Sequence, residues 1–103
     1  MRLPRTARIS ASLSLRPPQN LLGIATDIEG QTKLKWNLVR GAKSYIVECA
    51  TSPDGPWVQV TVTTRISCLA TNLTPGTKYW FRVRAVGAAG LSGWSDPAAK
   101  LAA

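Results

Sequence analysis

The residues best equipped for chemistry in this chain are two arginines and three tryptophans, with one carboxylate expected beside them. In the run Tyr79-Trp80-Phe81-Arg82-Val83-Arg84-Ala85, a two-residue period puts Trp80, Arg82 and Arg84 on one side of an extended chain. Tyr79, Phe81, Val83 and Ala85 fall on the other. A guanidinium stacked on an exposed indole gains about 0.5–1 kcal/mol. Trp94 is expected to start one neighbouring strand, and Glu48 to project from the other, completing a ladder of cations, rings and one acid. Trp57, beside Pro56, either extends that patch or shields the sheet edge. Such a ladder has two readings. It stiffens the exposed face as cross-strand pairs do, or Trp80 and Trp94 anchor a protein or carbohydrate partner, since Trp and Arg dominate interface hot spots.

Other chemistry has little to stand on. The chain has no histidine, which removes the commonest general base and the commonest metal ligand together. Serines and threonines are abundant, but no base is available to activate them. The acids are Asp27, Glu29, Glu48, Asp54 and Asp96, scattered over turns and edges with no pairing for acid–base work. Cys49 and Cys68 are the only cysteines and lack the CxxC spacing and third ligand of a zinc site. The expectation is a non-enzyme with no cofactor and no metal. Both cysteines have inward parity and read as buried free thiols; a bridge would need their Cα atoms within about 7 Å.

The elements that must position the ladder follow from turn chemistry and alternation. Leu73-Thr74-Pro75-Gly76-Thr77 is a tight turn, with Pro75 presetting its backbone angle and Gly76 tolerating positive φ. It leads into a strand over 77–86. A Tyr placed as Tyr79 is, a few residues after Leu73 and Pro75, is the signature of a tyrosine corner, its ring in the core and its hydroxyl bonded to backbone upstream. Pro17-Pro18 opens the folded part. Further strands are expected over 21–25, 32–36, 44–50, 57–63 and 66–70, with a last one over 94–101 where Pro97 suggests an edge or a bulge. Thr32, Leu34 and Trp36 alternate with Lys33 and Lys35, as a half-buried antiparallel strand requires. Tyr45, Val47 and Cys49 point inward from the third strand. Seven short strands without a helical period indicate an all-β sandwich, and 103 residues support one domain.

Residues 17–101 resemble a fibronectin type III module, particularly the versions found in bacterial proteins. The resemblance rests on Pro17-Pro18 with Leu21, Leu34-x-Trp36, Gly41-Ala42-x-Ser44-Tyr45-x-Val47-Glu48 and Leu73-x-Pro75-Gly76-Thr77-x-Tyr79. Phe81-Arg82-Val83-Arg84-Ala85 and Gly90-x-Ser92-x-Trp94-Ser95 complete it. It implies a seven-stranded, immunoglobulin-like Greek-key β-sandwich with variable loops. Trp36, Tyr45, Val47, Leu73, Tyr79, Phe81 and Val83 would form its core, and Cys49 and Cys68 would lie in opposite sheets. Integrin-binding members carry Arg-Gly-Asp in the loop that here reads Gly87-Ala88-Ala89-Gly90-Leu91-Ser92-Gly93, so that activity is not implied. Leu91-Ser92-Gly93-Trp94-Ser95 is similar to the Trp-Ser-x-Trp-Ser box of cytokine receptors with Leu91 in place of the first Trp, but the receptors' cysteine pairs are missing.

Charge and partners complete the expectations. The net charge of +8 is shared unequally, because residues 1–16 carry four arginines and no acid. These residues read as a basic, disordered extension, with residues 17–103 as the folded domain. The extension is a solvated leader or a contact for nucleic acid or another anionic surface. Its Arg- and Ser-rich make-up superficially resembles a transit peptide, and a reading frame cut from a longer parent fits equally. Lys33, Lys35, Arg40 and Lys43 form a small basic area that reads as solvated. No stretch approaches the roughly 20 apolar residues of a membrane span, and the location is cytoplasmic or exported within a longer protein. The expected function is a non-catalytic module for protein–protein contact, or a spacer, as in surface proteins and carbohydrate-active enzymes. Trp80, Arg82, Arg84 and Trp94 are its candidate surface, with Trp57 and Glu48 at the margin, and the chain's terminal edge could pair with a second copy.

Overall fold

The computed structural model describes residues 15–103, and the first fourteen residues of the expected basic extension lie outside the described residues. Eight strands are present among them: β1 (Leu22–Ala25), β2 (Thr32–Lys35), β3 (Ala42–Ala50), β4 (Val58–Thr63), β5 (Ser67–Ala70), β6 (Lys78–Gly87), β7 (Gly90–Leu91) and β8 (Ala98–Leu101). β1, β2 and β5 make one sheet in that order. β4, β3 and β6 make the other, with β7 and β8 both paired to β6. Every pairing is antiparallel. The connections β2–β3, β4–β5 and β5–β6 cross between the sheets, giving a two-layer sandwich.

The inward halves of the alternating strands meet in one core. Leu34 and Trp36 come from the first sheet, and Tyr45, Val47, Tyr79, Phe81, Val83 and Ala85 from the second, with Leu73 and Val39 from loops. Trp36 meets Tyr45 edge-on at 5.5 Å between ring centroids, a favoured aromatic geometry. Both buried tyrosines satisfy their hydroxyls on backbone. Tyr79 Oη accepts the Thr74 N–H at 2.8 Å, and Tyr45 Oη accepts the Val39 N–H at 3.0 Å. The turn ahead of Tyr79 closes with the Thr77 N–H donating to the Thr74 carbonyl at 3.1 Å. Gly76 sits there at φ 78°, as the third residue of a type II turn requires. Thr32 Oγ1 and Trp36 Nε1 are buried without a hydrogen-bond partner.

Three features depart from the sequence reading. The expected last strand over 94–101 is broken: β7 ends at Leu91, β8 begins only at Ala98, and the segment between them leaves the ladder. Pro97 has no N–H to give to a ladder, and Ser92 and Ser95 take over the bonds to β6. The chain end is also tied in by main-chain bonds that the sequence reading did not include. The Ala102 N–H donates to the Thr77 carbonyl at 2.9 Å, the Gly76 N–H to the Ala102 carbonyl at 3.0 Å, and the Gly30 N–H to the Ala103 carbonyl at 2.8 Å. Finally Leu15, read as part of the extension, packs against the core.

Cys49 on β3 and Cys68 on β5 belong to opposite sheets and are both free thiols, half-buried against the core. Burial raises the pKa of each, to about 11 for Cys68. At Cys49 the neighbouring Glu48 carboxylate adds to the effect of burial.

Candidate functional site

The outward residues of β6 lie in rows set by the sheet register. Arg82 faces Glu48 on β3 and Arg84 faces Ile46, while Trp80 lies between Ala50 on β3 and Ala99 on β8. On β4, Gln59 continues the Glu48 row and Val62 the Ile46 row.

Arg82 is the centre of the arrangement. Its guanidinium carbon lies 4.3 Å from the Trp57 ring centroid and 4.0 Å from that of Trp94. Its Nε and Nη2 donate to the same Glu48 oxygen, Oε1, at 3.0 and 2.7 Å. The two side chains are 25% and 20% exposed, so the pair is screened less than a fully solvated one. Arg84 shares Trp94, its guanidinium carbon 4.5 Å from that ring, and its Nε donates to the Ser92 carbonyl at 3.0 Å. The result is a continuous stack, Trp57–Arg82–Trp94–Arg84, with one internal counter-ion.

Local sequence explains how the two indoles reach the arginines. Trp57 follows the turn Ser52–Pro56, in which Gly55 holds φ 89°. A Cβ on Gly55 would come within 2.9 Å of Trp57 Cδ1, so glycine both permits the turn and leaves room for the ring. Trp94 is placed by the two serines around it. The Ser92 N–H donates to the Ala85 carbonyl at 2.9 Å, and the Ala85 N–H donates to Ser92 Oγ at 2.8 Å. Ser95 repeats this on Val83, with bonds of 2.8 and 3.0 Å. Each serine thus reproduces the paired exchange of an antiparallel neighbour, with its hydroxyl standing in for its own carbonyl. The Ser92 carbonyl is released by this substitution and is the group that holds Arg84.

The structure brings together five of the six surface residues singled out from sequence: Trp57, Arg82, Arg84, Trp94 and Glu48. Trp57, expected at the margin, belongs to the stack itself. Trp80 does not; its indole lies 5.2 Å from Lys78 Nζ, in a separate pair at the far end of the strand. The reason is lateral reach. Trp80 has small alanines on both sides in its own row, whereas Trp57 leans diagonally onto Arg82. Sequence reasoning also missed Ser92 and Ser95 as the residues that hold Trp94. No local pattern marks them, because residues three apart do not share a face in a regular strand.

Elsewhere Lys33 and Lys35 are exposed on the opposite sheet. A groove of about 490 Å³ lies where the chain joins the sandwich, lined by Leu15, Pro17, Leu38 and Val39 with Arg16 and Arg40. Among the described residues no cluster of three or more His, Cys, Asp or Glu side chains could hold a metal, and no helix is long and apolar enough to cross a membrane.

Comparison with known proteins identifies the fold. A sequence model described as "Fibronectin type III domain" matches residues 16–100. Among solved structures, the chain is similar to an Fn3-like protein from Clostridium thermocellum, at 29% identity and a TM-score of 0.74. That match covers 80% of this chain and 86% of the other. A mutant of the domain named FN3tt matches at 25% identity and a TM-score of 0.76, over 84% and 94% of the two chains. A segment of several titin domains matches at 28% identity and a TM-score of 0.71, over 84% of this chain but only 31% of that one.

Proposed function

Because the chain belongs to the fibronectin type III family, whose domains are generally non-catalytic and commonly mediate protein contacts or act as spacers, we propose that it is a protein-binding module. Residues 17–103 are its domain, residues 1–16 a basic extension, and its recognition surface is the outward face of β3, β4 and β6. Trp57, Arg82, Trp94 and Arg84 form the centre of that surface, Glu48 is its internal counter-ion, and Trp80 with Lys78 marks its far end.

The observation that carries this reading is the pre-assembled stack. Two indoles and two guanidiniums are already fixed against one another, so a partner meets large, amphipathic side chains whose ordering is complete before contact. Pre-organisation of this kind reduces the entropic cost of association, and the residue types are those that dominate hot spots.

A spacer role is the second reading, favoured by the similarity to a titin segment that holds further domains beside the matching one. The two readings separate in a capture experiment. The full chain, immobilised and exposed to nuclease-treated lysate of its source in high salt, retains a protein partner that Trp94→Ala loses if the face is a recognition surface. Retention that is indifferent to Trp57→Ala, Trp94→Ala and Trp80→Ala, or no retention at all, supports the spacer. Release by salt or nuclease moves the contact to the basic extension.

A further inference from the structure

The two arginines of the stack are not equivalent. Arg82 is saturated: indoles on two sides and two hydrogen bonds to Glu48 leave it little to offer a partner. Arg84 is held with equal definition, by Trp94 and by the Ser92 carbonyl on its Nε, but no carboxylate among the described residues neutralises it. Among the described residues the only ion pair is Arg82–Glu48, and neither terminal nitrogen of Arg84 makes a hydrogen bond to the protein. Arg84 is therefore an oriented guanidinium whose planar outer edge remains available for a bidentate acceptor.

Its surroundings define what that acceptor is attached to. Ile46 lies beside it on β3 and Val62 beyond that on β4. One row further along, Val86 is paired with Leu91. Val62 is 52% exposed and Leu91 55% exposed. The other cation on the outward side of β6, Lys78, is six residues away along the strand, about 20 Å at the usual rise.

We infer that Arg84 is the anion-reading position of this face, and that its partner is a protein segment presenting a carboxylate side chain between aliphatic residues. This rests on the interaction-module reading above. Charge complementarity favours it, since the chain is strongly basic and Glu48, the acid in the next row, is already committed to Arg82. A nucleic-acid strand fits less well. Phosphate tracking needs a succession of cations and stacking platforms, and here one free guanidinium sits among four aliphatic side chains, with a carboxylate one row away.

The test is an NMR titration of the isotope-labelled full chain at millimolar probe. The probes are acetyl-Leu-Val-Glu-Val-Leu-amide, its Gln counterpart, and an oligothymidylate. The expected result is a shift of the Arg84 Nε–H signal and of the Ile46, Val62 and Leu91 methyls with the Glu peptide. The Gln peptide should bind at least about tenfold more weakly, the scale of one charge-assisted hydrogen bond. Arg84→Gln should abolish the discrimination while leaving the Tyr79 ring signals at the far end of β6 and the amide signals of β1, β2 and β5 in place, and Arg84→Lys should restore it only in part. Equal affinity for the two peptides, shifts confined to other faces, no binding of either peptide, or shifts with oligothymidylate alone would each overturn the assignment. A captured partner lost with Trp94→Ala but indifferent to Arg84→Gln would overturn it too, and would leave the interaction face standing.

Discussion

Removing one oxygen from Ser95 tests the account of how Trp94 is held. Ser95 is 6% exposed and Val83 is fully buried, so the Val83 N–H that donates to Ser95 Oγ at 3.0 Å has no access to water. Ser95→Ala deletes the acceptor and keeps the donor. The cost is then the desolvation penalty of an orphaned amide, about 1–3 kcal/mol, rather than the smaller net value of an average hydrogen bond. The Ser95 N–H bond to the Val83 carbonyl at 2.8 Å survives, which keeps the segment from detaching outright. For a domain of this size each kcal/mol lowers Tm by roughly 4–8 °C. Reversible urea unfolding of Ser95→Ala should show a lower midpoint with an unchanged m value, together with an altered near-ultraviolet signal from Trp94. Ser52→Ala is the control: Ser52 Oγ accepts the exposed Asp54 N–H at 3.2 Å, and its loss should stay within about 0.5 kcal/mol. If Ser95→Ala costs no more than Ser52→Ala, the hydroxyl is not substituting for a strand, and the explanation of the broken last strand fails.

Three further expectations concern the core, the stack and the thiols. Thr32→Val replaces a hydroxyl buried without a partner by a methyl of similar shape, and should raise stability by about 1 kcal/mol in the same urea assay; a loss would mean that Oγ1 is satisfied after all. A double-mutant cycle with Glu48→Gln and Arg82→Gln should give a coupling of about 1 kcal/mol that shrinks with added salt, and additive effects would remove Glu48 from the stack. Cys68 has a folded pKa of about 11 against an ordinary 9.0, so the folded state holds its proton where the unfolded state has lost it. Its contribution to stability is complete below about pH 9 and is lost as pH rises towards 11, and Cys68→Ala should flatten the stability profile across that window.

What the sequence made legible was whatever depends on near neighbours. The tyrosine corner is written within seven residues, Leu73 to Tyr79, and its hydrogen bond follows from them. The outward set of β6 follows from parity, because a slip of one residue would bury two arginines. Six strands could be bounded to within two residues because turn residues flank them. Trp57 was harder to place, since its reach to Arg82 is diagonal across a sheet and depends on the turn at Gly55 and on the small Ala50 beside it. The break in the last strand was illegible for a different reason. Pro97 signalled irregularity, but nothing local says that a serine hydroxyl will bond to a strand 7 or 12 residues back. The bonds of the terminal alanines were out of reach likewise: the methyl of Ala102 marks no hydrogen-bond partner, and its bonds are entirely main-chain.

The serine substitution also bears on lateral growth of the sheet. A strand paired through its main chain passes hydrogen-bonding capacity on to its far side, where a further strand can dock; a side-chain hydroxyl does not. Between Leu91 and Ala98 the edge of β6 is closed by two hydroxyls, of which that of Ser92 turns its proton back onto the Gly93 carbonyl at 2.8 Å, and Pro97 contributes no N–H at all. This stretch is therefore a dead end for strand addition, a form of protection against fibre-like stacking that needs no charged gatekeeper. The opposite edge of the same sheet has no such device: β4 runs Val58-Gln59-Val60-Thr61-Val62-Thr63 without a single charge. Of these two stretches, β4 is the one open to a further strand.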